Sequence, residues 1–488
     1  MQLFQNHQPS KPLLSSHGKH SLFLFIGAIL VAILTALVAE FFGLFLALLS
    51  PLLLLLMLIA IWDYRYGVLL TVFILPLSST NLLPKEIFGV AGLNPLNVLL
   101  LFSALSMLLT SAVQPSKILI PTWSHYFFCY LGVFMAATLH GVFHIGSIPD
   151  YFKALGIIKS NSVGEYLSSA FLKPIITLST VFMLSVALRN AQRPNFYLVP
   201  LFCSAIVFPL AVFFYVSVSG ASLSELASTG SRGYLSVVGM HANELGLLLN
   251  MAFALALFCC AHAPGFLAKS LLGAVTIILA VAVALTFSRG AYLGSFAVIA
   301  YFLYSLRRFG ILLSALLLLP FAILLVPQPV LERATIGIQN QDVDAISAGR
   351  VDDIWRPLLP EVMTSPIIGH GLGSILWSEA AQQRTILPVS HPHSAYLGML
   401  LDFGILGTVV IFFFLRHVWR LFRRLGRYAP DPIWRGFFGG ATACVLLLLV
   451  QGLTDDSFMP SRTQPFFWMS YGLAMGVVAR MRARGYEF

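Results

Sequence analysis

Long apolar runs separated by short polar joints dominate the chain. Fourteen are read: 21–39, 42–62, 66–80, 94–112, 123–141, 169–189, 197–218, 241–262, 267–287, 290–307, 310–326, 395–415, 436–453 and 464–480. Most reach the ~20 residues a helix needs to cross the hydrocarbon. Run 66–80 is short and open to a re-entrant reading, so about 12–14 spans are expected. The alternation of a membrane barrel, in segments of ~10 residues, is missing from the pattern. Each span must satisfy its own backbone hydrogen bonds in lipid, so the predicted fold is all-α, a polytopic transmembrane helical bundle. We expect one integral membrane domain over 1–488, with a long, partly helical outer loop at 327–394. That loop is too long to be an idle connection. Val351, Ile354, Trp355 and Leu358 in it have the spacing of an amphipathic helix, expected to lie on the membrane surface.

Composition agrees. Hydrophobic residues make up 58% and charged residues 10%, against ~25% charged in a soluble chain. The first twenty residues are polar and carry Lys11 and Lys19, and the run that follows is long enough to span; no removable signal peptide is expected. Cys129, Cys203, Cys259, Cys260 and Cys444 all fall in predicted spans without metal-ligand spacing, so neither disulfide nor zinc is expected.

Charge fixes the expected orientation. With both termini in the cytoplasm and every run crossing, most Lys and Arg fall inside, including Arg307-Arg308, the set Arg416, Arg420, Arg423, Arg424, Arg427, and Arg480, Arg482, Arg484. Most acids fall outside. This is the positive-inside bias. The net charge of +10 is then topology and contact with anionic membrane lipids, not nucleic-acid binding. Outer segments are expected at 81–93, 142–168, 219–240 and 327–394.

The polar residues that remain collect at that outer side. Arg232, Arg289, Arg350 and Lys173 all face it. An arginine offers a planar fork of donors that stays charged and matches phosphate oxygens at two points. The bland alternative is that each snorkels to headgroups. The segment His391-Pro392-His393-Ser394 stands where the long loop enters a span. Pro392 suits a first helical turn, so Ser390 or His391 is expected to cap the helix and His393 to lie in its first turn. There the helix dipole keeps an imidazole neutral, as a general base requires. Gly369-His370-Gly371-Leu372-Gly373 has no βαβ surroundings and reads as a glycine-rich turn near the site rather than a phosphate loop. Asp402 lies ~10 Å into its span; of pairing with an arginine and serving catalysis, pairing is expected, since an unpaired carboxylate there is costly. His241, Asn243 and Glu244 open a helix and are explained as well by capping as by function.

Taken in order, Ser288-Arg289-Gly290, Arg350 with Trp355, Pro366 to Gly373, His391 to Leu397, and Asp402-Phe403-Gly404-Ile405-Leu406-Gly407 resemble the O-antigen ligase and polymerase superfamily of bacterial inner-membrane glycosyltransferases. The resemblance spans about 225–410. Ser394 departs from it, since many relatives have asparagine after the histidine. The resemblance implies metal-independent, inverting transfer of a glycan from an undecaprenyl diphosphate on the periplasmic face, with no cofactor. By position, His393 matches the catalytic histidine, and Arg232, Arg289 and Arg350 match arginines that hold the diphosphate. Lys173, His391, Trp355 and Arg384 are added as substrate-binding residues, Arg384 toward a phosphorylated acceptor. An O-antigen ligase acting on the lipid A-core is favoured in this reading of lipopolysaccharide biosynthesis. A polymerase that extends the growing glycan, or a protein O-oligosaccharyltransferase, differs only in acceptor. A lipid-linked glycan transporter or flippase belongs to another class; it predicts ionisable residues and broken helices near mid-membrane, whereas the groups here concentrate in outer loops.

Overall fold

The computed structural model describes residues 44–307, 344, 347 and 349–486, apart from 88–89, 91, 115–117, 160, 221–224, 226–237, 455–456 and 462. The expected spans 21–39 and 310–326, and Arg232, lie outside the described residues. The other twelve runs each form a helix: α1 Leu44–Trp62, α2 Tyr64–Leu77, α3 Pro95–Val113, α4 His125–Val142, α5 Lys173–Arg189, α6 Leu198–Ser219, α7 Ala242–His262, α8 Phe266–Ala284, α9 Arg289–Ser305, α10 Ala395–Tyr428, α11 Pro432–Gln451 and α12 Pro465–Ala483. Among the described residues there is no strand beyond an isolated bridge between Ile87 and Val90. Among the described residues, eight helical stretches are long and apolar enough to cross a membrane.

The bundle is built around α7 and α11. Both are buried along most of their length and pack on each other. Close approach explains why small residues line that seam: a Cβ on Gly440 would stand 2.6 Å from the Ala254 carbonyl oxygen. In lipid, where apolar burial supplies little drive, such close packing holds helices together. α12 fills the space against α5, and α10 packs on α4 and α11. Leu101, Leu105 and Leu108 of α3, Leu210 and Phe214 of α6 and Leu271 and Ile277 of α8 are exposed on the outside of the bundle, the lipid-facing surface.

Loop contacts divide the molecule into two ends. At one, Arg480 donates to the carbonyls of Leu188, Arg189 and Ala191 (3.1, 3.2 and 2.6 Å) at the close of α5. Arg65 donates to the Asn190 carbonyl at 3.5 Å and Asn195 to Asp431 at 2.8 Å. Arginines there satisfy the last carbonyls of a helix and complement its dipole. At the other end, termed outer here, segments 143–172 and 349–394 fold over the bundle. Their apolar residues form a second, smaller core around Phe152, Ile354, Leu358, Ile375 and Trp377. The helix expected at 351–358 is present, as Val351–Trp355 continued by Arg356–Val362. Ile354 and Leu358 are buried in this cap instead of facing the membrane surface.

Helix α10 is broken. Within α10, Gly404 has φ 60° and ψ −169°. The glycine-rich loop enters that break. His370 and Gly371 donate their N–H groups to the carbonyls of Leu401 (2.7 Å) and Asp402 (3.1 Å), while Ile405 and Leu406 donate theirs to Pro366 (2.8 Å) and Ile367 (3.1 Å). Irregular backbone at membrane depth is tolerated where such partners re-satisfy it. A Cβ at Gly404 would meet the Ile367 carbonyl oxygen at 2.4 Å.

Candidate active site

The first turns of α7, α9, α10 and α12 and the last turn of α11 meet at the outer end. α7 opens with a capping box: His241 Nδ1 accepts the Asn243 N–H at 3.4 Å, and Glu244 Oε2 accepts the His241 N–H at 3.0 Å. Together they satisfy two donors that a helix start leaves over. α9 opens at Arg289. Its cap, Ser288, accepts the Ala291 N–H at 3.2 Å and donates its hydroxyl to Asn243 Oδ1 at 2.6 Å. Gln451, ending α11, donates from Nε2 to the Gly290 carbonyl at 3.1 Å. These bonds tie three helix ends around a cavity of about 200 Å³ that Asn243, Glu244, Gly290, His391, Gln451 and Thr454 help to line.

The histidine turn stands beside it. α10 starts at Ala395, capped by Ser394, whose Oγ accepts the Leu397 N–H at 3.4 Å. The expected start at Pro392 is therefore corrected: His393 precedes the cap and lies outside the first turn. The reason is in the bonds around it. The Pro392 carbonyl accepts the Trp355 indole N–H at 2.8 Å, and the Ala395 N–H goes to the Gly452 carbonyl at 2.8 Å. With both flanks fixed, His393 takes φ 51°. A non-glycine residue held there costs ~1–3 kcal/mol and persists only where its surroundings over-determine it, often at functional sites. The rings of His391 and His393 are 4.2 Å apart, and Ser390 Oγ is 3.2 Å from His391 Nδ1. His393 is half-buried. His391 is exposed and lines both the small cavity and a second, wider groove.

That groove, about 530 Å³, is largely apolar, with Ile145, Ile157, Leu372, Met399 and Met459 in its wall and Lys159 and Glu165 among its charges. Arg350 hydrogen-bonds through its guanidinium to the carbonyl of Thr454, a cavity-lining residue; Arg350, Arg289 and His393 themselves line neither cavity. Arg289 adjoins Gly290 in the cavity wall. Trp355 touches the site through Pro392. Two further expected residues have no contact with the small cavity's wall. Arg384 sits over the Tyr151 ring at 5.0 Å, on the cap. Lys173 is exposed at the start of α5 and lines neither cavity, where Lys159 lines the groove.

Asp402 is also corrected. Among the described residues it pairs with no arginine but accepts the N–H groups of Gly373 (3.1 Å) and Ser374 (3.0 Å) and the Ser374 hydroxyl (2.7 Å). The break in α10 brings the glycine-rich loop against this carboxylate, and the loop's donors replace a counter-ion. The loop is thus a plug in a helix break. Nearby, His144 stacks on Trp377 with centroids 5.6 Å apart, and the His140 ring is 5.2 Å away. Burial first, then the neighbouring His140 and His370, hold the His144 imidazole below its ordinary range.

Sequence reasoning missed the α11–α12 connection, which supplies Thr454, Ser457, Ser461 and Thr463 to the cavity. The signal was a dense run of hydroxyl side chains between two apolar spans. It also left Asn243 open between capping and function; His241 and Glu244 do the capping, and Asn243 faces Ser288.

A many-helix bundle with long apolar helices and polar residues gathered at one end is that of a multi-pass membrane protein. Residues 274–412 match the family model described as Wzy_C, O-antigen ligase, which supports the O-antigen ligase superfamily and, with it, a glycosyltransferase-like membrane enzyme. The matched stretch runs from α8 through α9 and the capping loop into the broken helix α10. No curated protein matches the chain.

Proposed function

We propose that the chain transfers a glycan from undecaprenyl diphosphate to an acceptor hydroxyl at the periplasmic face of the bacterial inner membrane, and that the acceptor is the lipid A-core: an O-antigen ligase. One observation carries this reading. His391 of the strained turn, Gly290 next to Arg289, and Thr454, which Arg350 contacts, line a single small cavity, and His391 joins that cavity to an apolar groove.

His393 accepts the proton of the acceptor hydroxyl. The oxygen attacks the anomeric carbon from the face opposite the diphosphate. The carbon–oxygen bond to the diphosphate breaks, and undecaprenyl diphosphate leaves with the configuration inverted. Arg289, with Arg232 and Arg350, neutralises the charge that grows on the leaving group, where preorganised cations stabilise a transition state most. A diphosphate is already a competent leaving group, so neither general acid nor metal is needed. His391 orients the His393 ring, and the apolar groove takes the polyprenyl chain.

The test is transfer by purified protein from a defined undecaprenyl-diphosphate glycan, in EDTA. His393→Ala is expected to lose ~100- to 10,000-fold in turnover, the usual worth of a positioned base, at unchanged protein level. Wild-type turnover in that variant removes His393 from the role, and loss of product on chelation sinks the metal-free step. A deletion strain separates the acceptors: accumulated long lipid-linked polymer means ligase, and accumulated single repeats mean polymerase.

A further inference from the structure

The small cavity has a composition that diphosphate binding leaves unexplained. Beside Glu244, His391 and Leu247, its side chains are neutral amides and hydroxyls: Asn243, Gln451, Thr454, Ser457, Ser461 and Thr463. Two of these have hydrogen-bonding capacity left over, and their orientation is set. Ser288 accepts the α9 cap N–H and donates its own hydroxyl proton to Asn243 Oδ1. The atom it meets is therefore the amide oxygen, and Asn243 Nδ2 remains a donor with no partner among the described residues. Gln451 meets the Gly290 carbonyl, which only accepts; the group there is its NH2, and its Oε1 is left buried and unpartnered, in a residue 5% exposed. A donor and an acceptor held ready among hydroxyls match a sugar ring, which offers both at neighbouring carbons. The size agrees. At about 200 Å³ the cavity is below the ~300–1,000 Å³ that encloses a drug-sized ligand, so it takes one ring and not a chain.

Position selects which ring. Arg289 adjoins one wall and Arg350 is bound to Thr454 in another. We infer that this cavity binds the donor sugar directly attached to the diphosphate, and that Asn243 is its specificity-determining residue, donating to an oxygen of that ring. The inference rests on the glycosyltransferase reading above.

The experiment compares two ligands: a glycan-bearing undecaprenyl diphosphate, and bare undecaprenyl diphosphate as a competitive inhibitor. Removing one hydrogen bond to the ring, as in Asn243→Ala, is expected to raise the KM of the glycan donor about three- to tenfold and leave the inhibition constant of the bare lipid unchanged. Asn243→Asp keeps the contact with Ser288 and serves if the alanine variant does not accumulate. Its added charge acts on both ligands, so the ratio of their affinities is the readout, and the ratio is expected to move in the same direction. Equal weakening of both ligands, or no change in either, overturns the assignment of the ring. Failure of the wild-type protein to transfer any glycan overturns the underlying activity instead.

Discussion

The indole N–H of Trp355 reaches the carbonyl of Pro392 at 2.8 Å, across thirty-seven residues of sequence. Trp355 is thereby a positioning residue, holding the turn that carries His391 and His393 from the side opposite α10. Trp355→Phe keeps the ring and removes the donor. Turnover is expected to fall about five- to tenfold, the worth of a single hydrogen bond near 1 kcal/mol, with KM for the glycan donor unchanged. A rise in KM with turnover intact assigns Trp355 to substrate contact instead.

Asp402 anchors the plug that fills the break in α10. Its Oδ1 gathers three hydrogen bonds from Gly373 and Ser374. Asp402→Ala leaves those donors without a partner at a cost of ~1–3 kcal/mol each for groups that stay buried. Asp402→Asn retains an acceptor in the same place. We expect a clear loss of thermal stability in detergent for the alanine variant and a smaller one for the asparagine variant. Equal losses in the two would show that the charge, not the acceptor geometry, holds the plug.

The bundle was legible because span length and hydrophobicity are written locally: twelve of the runs reappear as helices, eleven of them within a few residues of their expected bounds, while α10 runs on to Tyr428. The site was legible as a set of residue types but not as a geometry. His393 misled because Pro392 is a good first-turn residue, while tertiary bonds from Trp355 and Gly452 moved the helix start to Ala395. Asp402 misled because the break at Gly404 depends on a loop about thirty residues upstream, a pairing that no local pattern encodes. Asn243 and Gln451 were hidden in helix ends, where capping is the ordinary explanation of a polar residue.

The cap also carries a pH dependence. His144 lies against Trp377, with His140 and His370 nearby, and its imidazole is held below the ordinary histidine value of 6.5, chiefly by burial. The neutral form is thus favoured in the folded state. The unfolded chain takes up its proton first as the pH drops. The stability this site contributes is present above 6.5 and is lost as pH falls from there through the lower folded value. Thermal unfolding in detergent from about pH 8 to about pH 5 is expected to show that decline. His144→Phe, which preserves the stack on Trp377, is expected to flatten it. An equal decline in the variant assigns the effect to other groups.

The proposed chemistry requires the outer end to face the periplasm, and the structure shows where to ask. Ala380 lies midway along the capping loop yet is 6% exposed, so a cysteine there reports packing. Gln383 is exposed on the same loop, and Gln192 is exposed at the opposite end, beside the carbonyls that Arg480 holds. In a background with Cys129, Cys203, Cys259, Cys260 and Cys444 replaced, a membrane-impermeant maleimide applied to intact cells is expected to label Gln383→Cys. Gln192→Cys is expected to react only after the membrane is opened. The positive-inside distribution predicts this sense, because the arginines of α10 beyond Arg416 and those closing α12 share the end of Gln192. The reverse labelling would put His393 and Arg289 in the cytoplasm, and a ligase acting on exported lipid-linked glycans could not then be this protein's activity.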